Sequence, residues 1–477
     1  MRRAISIATL ATVILFALGM LAQGARDTSQ DTSLPEQTGL RTPQAGHVYI
    51  PESSIQRPED LGLRAHTNIV LFSLDGVRPL VLRQPSDAQS VINDSSVSVP
   101  ETPASLGCVY LKNPNYSGCV PNSASGTGGP SPAGYGAIAL VDAYDNPDAA
   151  TDLQTFDSYW GLPAPPHFIK VLATNASLGC GTPVANAGWS LESSLDIEYA
   201  HVFATSAAII LVEASNNSDT CLFYAEQVAF NYLILHYTYA GQVSNSYGGG
   251  EFSGQTAYDP YFASWNYTYN KQVTAFASTG DDGCGVEYPS SNPWVIAAGG
   301  TTVLRNSSDH SFSSEACWGG SGGGTSTVET YATSWTGGSN TGPWANYQYP
   351  VFGEANRSVP DISFDADPHS GAYVYSQYGG GGWVVVGGTS LASPSLAGIV
   401  NRSNNKLGSF FDTPVTGNHD FFANQEDNLI YAQMPAHSDY TRNWYDVKTG
   451  SNGCSNSATT AYDFCTGVGS PRGTIGK

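Results

Sequence analysis

Basic side chains are scarce in this sequence. Its 477 residues carry 19 Lys+Arg against 40 Asp+Glu, for a formal net charge of −21, and only 12% of residues are charged. Such a chain repels phosphate backbones and anionic bilayers, which excludes a nucleic-acid-binding or membrane-surface protein held by charge. At acidic pH most carboxylates become neutral, and the few Lys and Arg then leave only a modest positive charge and little self-repulsion. No CxxC pair occurs among the eight cysteines, so disulfides are favoured over zinc. None of the nine histidines is followed by glycine. There is no internal repeat, and beyond the N-terminus no stretch is apolar enough to span a bilayer. What the chain does have is apolar content: 41% of residues are hydrophobic, enough for a sizeable core and against wholesale disorder.

The first 25 residues, "MRRAISIATLATVILFALGMLAQGA", place two arginines before an apolar run and a small-x-small site at Ala22-Gln23-Gly24. This pattern reads as a secretory signal peptide over residues 1–24, with an uncleaved anchor as the alternative, and it predicts a secreted protein. An even number of cysteines fits export. Sequential pairing is the simplest connectivity: Cys108–Cys119, Cys180–Cys221, Cys284–Cys317 and Cys454–Cys465. Residues 25 to about 65 are polar and aperiodic, which predicts an extended leader, and "HTNIVLFSLDG" (66–76) contains one short apolar strand. The domain reading is a leader over 25–105 and one large domain over 106–477.

From residue 136 the pattern becomes regular. "GAIALVDAY" (136–144) is a continuous apolar strand that ends in an acid, as buried parallel strands do. "DAATDLQTFDSYWG" (148–161) reads as a helix with a glycine stop, and "HFIKVLA" as the next strand. "SLESSLDIEYAHVFAT" (190–205) predicts a helix, "AAIILVEA" a strand, and "EQVAFNYLILHYTYAG" a further helix. "QVSNSYGGGE" reads as a strand and glycine loop; "TAFASTGDDG" and "PWVIAAGGTTV" are further strands. Alternation of this kind means an α/β fold with a mostly parallel central sheet and helices on both faces. Working residues in such sheets gather at the carboxyl ends of the strands.

Three segments there could carry chemistry. In "GGTSLASP", glycines allow a tight turn and put Ser390 at a helix N-terminus, where free N–H groups favour a developing negative charge. Pro394 fits as a first-turn residue, and an ordinary serine N-cap is the structural alternative for Ser390. The GTSxxxP pattern is shared with subtilisin-like proteases, but the histidine base they use, in a His-Gly context, is missing. Carboxylates stand in its place. Glu192 and Asp196 are four residues apart, so they share one helix face, where a solvated helix edge is the plain reading. In "STGDDG", Asp281 ends a strand and either lines a site or starts an Asx turn.

Taken together and in this order, the three segments resemble the sedolisin family, the serine-carboxyl peptidases. "IALVDAYDNPDAATDLQTFDSYWGLP", "VSNSYGGGE" and "RSVPDISFDADPHSGAYVY" extend the resemblance from about residue 106 to the C-terminus. It implies a subtilisin-like fold and an acid-active endopeptidase with Ser390 as nucleophile, Glu192 as general base, Asp196 as its partner and Asp281 as a protonated oxyanion donor. It also implies a polypeptide substrate paired along Ser244, Ser246 and Gly248. "NWYDVKTGSNGCSNSATTAYDFCTGVGSPRG" (443–473) resembles the family's calcium loop, with carboxylates of Asp446 and Asp463 and main-chain oxygens of Val447, Thr459 and Ala461 as ligands. The family usually has glycines where Thr459 and Ala461 stand, and a long folded propeptide where this chain has a short leader. The expected state is a monomer, free of the membrane after signal cleavage. The rival readings are a subtilisin-type protease with a histidine elsewhere, and a secreted binding protein that kept the fold without turnover.

Overall fold

The computed structural model describes residues 46–88, 99–111, 120–121, 129–238, 241–262, 265–266, 271–330, 356–403, 430–431, 440–453 and 456–474. The signal-peptide segment, Cys119 and Cys454 lie outside them. In chain order the elements that matter here begin with β1 (His47–Tyr49), β2 (His66–Thr67) and β3 (Val70–Ser73). Next come β4 (Ala137–Ala143), α1 (Ala149–Trp160), β5 (Phe168–Ala173), α2 (Ala187–Phe203), β6 (Ala208–Ala214) and α3 (Asp219–His236). The chain continues through β7 (Gly241–Asn245), β8 (Tyr247–Gly250), β9 (Lys271–Ser278), β10 (Glu287–Tyr288), β11 (Val295–Arg305) and β12 (Phe312–Cys317). It closes on β13 (Ile362–Asp365), β14 (Ala372–Ser376), β15 (Gly382–Gly387) and α4 (Thr389–Arg402).

The central sheet runs β12-β11-β9-β7-β4-β6-β5, with β13 also on β11. All of these pairs are parallel except β11 with β12. Side chains alternate faces along a strand. In β4, Ala137, Ala139 and Val141 therefore pack into the core that holds Leu222 and Phe223 of α3. Ile138 and Leu140 pack into the opposite core, with Leu195 of α2 and Leu396 of α4. Both faces are covered, which is why the strands read as unbroken apolar runs. Of the described residues, no helix is long and apolar enough to cross a membrane.

Element boundaries differ from the sequence reading where side chains cap. Asn186 Oδ1 accepts the Trp189 N–H at 3.2 Å, so α2 starts at Ala187. Ser218 caps α3, which starts at Asp219. The apolar stretch at 66–76 forms two strands with different partners: β2 pairs with β8, and β3 pairs with β15. Residues 46–88, expected as a leader, belong to the same compact unit as the rest of the described chain. Sequential disulfide pairing is overturned. Cys180–Cys221 holds, but Cys317 at the end of β12 bonds Cys465, because the C-terminal loop folds back onto that strand and the Cys317 N–H bonds the Thr449 carbonyl. Cys108 and Cys284 are also disulfide-bonded.

Candidate active site

Ser390 is the second residue of α4, directly after the apolar strand β15. The helix cap is Gly388, not Ser390, with φ +96°. Only glycine fits there: a Cβ would collide with the Asn68 carbonyl and the Asp281 carboxyl. Pro394 is not a first-turn residue; it sits inside α4. Having no N–H, it leaves the Ser390 carbonyl without its helical partner. The Ser246 hydroxyl, whose proton goes to Asp196, lies 3.3 Å from that carbonyl. The carbonyl freed by the proline thus lies beside the end of β7.

Glu192 and Asp196 are fully buried on α2, which packs against α4. The bland reading of a solvated helix edge fails, since every residue from Trp189 to Phe203 is buried. The Glu192 carboxyl lies against the Ser390 hydroxyl, whose contact favours its ionised form, yet neither Glu192 oxygen holds a well-aligned hydrogen bond. The Ser390 hydroxyl itself points at the Ser246 carbonyl, 3.2 Å away. Asp196 Oδ1 accepts from the Ser246 hydroxyl at 2.7 Å, and its Oδ2 has no partner. Burial first, then the charges of Asp196 and Asp142, pushes Glu192 well above the ordinary carboxylate range. Asp196 is raised by burial and by Asp142. Like carboxyls brought this close out of water cannot all ionise, so they share protons and titrate as a unit.

Asp281 follows the end of β9. Its Oδ1 accepts from the Thr389 N–H at 2.7 Å and the Thr389 hydroxyl at 2.9 Å, which anchors the carboxyl to the first residue of α4. Its Oδ2 is buried without a partner. Burial raises its pKa well above the usual range, opposed by the two Thr389 bonds and assisted by Glu287 and Asp282. A carboxyl held neutral in this way is a hydrogen-bond donor. The Asn68 carbonyl lies on the same side of Gly388 and accepts the Ser390 N–H at 2.9 Å.

Known proteins resemble this chain in sequence and in fold. No family model matches the chain. Kumamolisin from Bacillus sp. (strain MN-32) is 29% identical over 362 residues, covering 70% of this chain and 58% of the relative. Sedolisin from Pseudomonas sp. (strain 101) is 31% identical over 199 residues, covering 39% and 28%. Xanthomonalisin from Xanthomonas sp. (strain T-22) is 25% identical over 378 residues, covering 70% and 42%. Over 70% of its length the chain is similar to members of the sedolisin family. It spans 58% or less of the length of each of these curated relatives. A Pseudomonas sedolisin structure, titled a serine-carboxyl proteinase in complex with pseudo-iodotyrostatin, shares the fold with a TM-score of 0.57 at 22% identity, over 78% of this chain and 95% of that one.

Of the sedolisin-type residues expected from the sequence, Ser390, Glu192, Asp196, Asp281, Ser246 and Gly248 converge at the carboxyl edge of the sheet. Ser244 does not join them: its hydroxyl bonds Ser393 at 2.8 Å, beneath α4. Asp142, at the end of β4, is a buried acid facing the Glu192–Asp196 pair that the sequence reading did not assign; the acid ending an apolar strand was its signal. Asn68, Ser278 and Glu287 were also missed; Ser278 opens the STGDDG segment, while no motif marks Asn68 or Glu287.

The expected calcium loop folds so that one turn reaches both carboxylates. The Ala461 N–H bonds Asp446 Oδ1 at 2.9 Å, and the Thr459 N–H bonds Asp463 Oδ2 at 2.9 Å. Ala461 adopts φ +70°, the conformation that glycine would take there without strain. Oxygen donors suit calcium, although the Lys448 ammonium, 3.0 Å from Asp446 Oδ2, competes for that carboxylate. Among the described residues no group of three or more His, Cys, Asp or Glu side chains is arranged to hold a metal. An ion here would depend on the main-chain oxygens of Val447, Thr459 and Ala461.

Proposed function

We propose that this chain is a secreted, acid-active serine-carboxyl endopeptidase that cleaves polypeptides through an acyl-enzyme on Ser390. The observation that carries the reading is how Glu192 and Asp281 stand about Ser390 and the Asn68 carbonyl. The Ser390 N–H bonds that carbonyl, the partnerless Oδ2 of Asp281 lies on the same side of Gly388, and the Ser390 hydroxyl lies against Glu192. In the reaction, Ser390 Oγ attacks the scissile carbonyl carbon while Glu192 takes the hydroxyl proton. The resulting oxyanion accepts from the Ser390 N–H and from protonated Asp281. Glu192 then returns the proton to the leaving amine, and water repeats the sequence on the ester. Asp196 positions Glu192 and shares its proton. A carboxylate base favours this reading over a subtilisin-type one: the histidine in the cleft, His66, faces Glu287.

The test is cleavage of a denatured protein at about pH 4, well below the histidine range. The wild type should release peptides, and Ser390→Ala should release none. Equal release by both removes the reading. Calcium on the 446–463 loop is the second part of the proposal, with a structural role only. A chelator should lower the Tm and calcium restore it; an unchanged Tm speaks against the ion.

A further inference from the structure

The carbonyl in this site belongs to the chain itself. Residues 66–71 pass through the cleft as extended backbone. On one side His66 and Thr67 pair antiparallel with Gly248 and Tyr247, and the Asn68 N–H reaches the Ser246 carbonyl at 3.4 Å. On the other side Val70 and Leu71 pair antiparallel with Gly387 and Val386, next to the serine. The Asn68 carbonyl lies between these pairings, on the Ser390 N–H. This is the register of a substrate whose scissile bond is Asn68–Ile69.

The side chains of this resident segment show what the cleft can read. The Asn68 amide donates from Nδ2 to Ser278 Oγ at 2.8 Å and to Glu287 Oε2 at 3.1 Å. His66, two residues earlier and so on the same face, brings Nε2 to 3.6 Å from Glu287 Oε1. Glu287 fills the space that a Cβ on Gly248 or Gly280 would occupy, which makes the pocket shallow. Its walls, Ser278 and Glu287, are both buried.

We propose that Gly248, Ser278, Gly280 and Glu287 form the pocket for the side chain before the scissile bond. This pocket selects an amide donor, asparagine, and the Asn68–Ile69 bond is its first substrate. The inference rests on the peptidase reading. Ser390 Oγ adds to the Asn68 carbonyl carbon, the proton passes through Glu192 to the Ile69 nitrogen, and the C–N bond breaks. Water then cleaves the Asn68 ester, leaving a carboxyl on Asn68 and an amine on Ile69. An apolar side chain in this pocket leaves two buried polar groups unpaired, and sites built around a hydrogen bond reject analogues that lack it.

The experiment acidifies the purified full chain and maps new termini by mass spectrometry, both on the chain and on a denatured protein added as substrate. The wild type should expose Ile69 as a new N-terminus, and Ser390→Ala should not. Asn68→Leu should slow that cut at least ~10-fold. In the added protein, asparagine should precede the cut at least ~10-fold more often than leucine, and Glu287→Ala should abolish that bias. Cuts in the added protein with no asparagine bias and an intact Asn68–Ile69 bond overturn the inference and leave the peptidase standing. No cut anywhere, from acid to neutral pH, removes both. The wild-type cleavage map decides even if Glu287→Ala does not fold.

Discussion

Asp281 is the residue whose protonation state decides most. Its Oδ1 is fixed by Thr389 and its Oδ2 has no partner, so the proton it needs for donation belongs on Oδ2. Asparagine would keep both roles, accepting from Thr389 through its carbonyl and donating through its amide, without ionising. Asp281→Asn should therefore retain turnover in acid and hold it to higher pH than the wild type. Asp281→Ala should lose roughly 10²–10³ in kcat, the usual cost of one oxyanion donor. Steady-state kinetics across pH on both variants checks this, and equal losses in the two would count against a donating carboxyl. The residues proposed to react were legible in the sequence because each sits in a short, stereochemically demanding segment: Gly-Gly-Thr-Ser, an acid pair at helical spacing, and an acid after a strand. Asn68 was not legible, because a backbone carbonyl carries no sequence signature and its role depends on pairings to residues 246 and 390.

Between elements, the decisive contact is that of α2 with α4. One carries Glu192, the proposed base, and the other Ser390, the proposed nucleophile, so their separation sets the distance between the two. Gly398 sets that separation: a Cβ there would meet Phe203 Cβ at 2.7 Å and the Ala200 carbonyl at 2.9 Å. Neither atom is the far end of a flexible side chain, so the helices must move apart. Gly398→Ala should cost ~1–3 kcal/mol of stability. It should also lower kcat more than KM, which thermal denaturation together with kinetics would show. Unchanged Tm and kcat would mean the helix spacing is not critical. The strands and helices of the central layers were readable because their apolar runs have the lengths that parallel strands and helices require. Pro394 misled the reading, since nothing local reveals that Ser246 lies beside the carbonyl it leaves open. The pairing of Cys317 with Cys465 was equally hidden, because it depends on how a distant loop folds back.

At the scale of the whole molecule, many acids among the described residues are buried. Glu192, Asp196, Asp142, Glu198, Glu226, Asp281 and Asp365 are all raised well above their ordinary range, chiefly by burial. Burial also lifts Glu213 and Asp219 to about 7 and Asp157 to about 8. Folding therefore takes up protons. A group whose folded pKa exceeds its unfolded value contributes stability that is present below the unfolded pKa and lost as pH rises through the folded one. The Tm should be highest in acid and fall from about pH 4 to about pH 8, a trend opposite to ordinary acid denaturation. Calorimetry over that range checks it, and a Tm that rises toward neutral pH would contradict it. The acidic composition suggested tolerance of acid, but only the fold shows which carboxyls lose their water.

One claim underlies all of this: the serine is worked by carboxyls and not by a histidine. It is tested most directly by the dependence of kcat/KM on pH for the wild-type chain. The account predicts turnover that is greatest in acid and declines as Asp281 gives up the proton it donates. Activity that instead climbs through about pH 6.5, as an imidazole base would require, would contradict it.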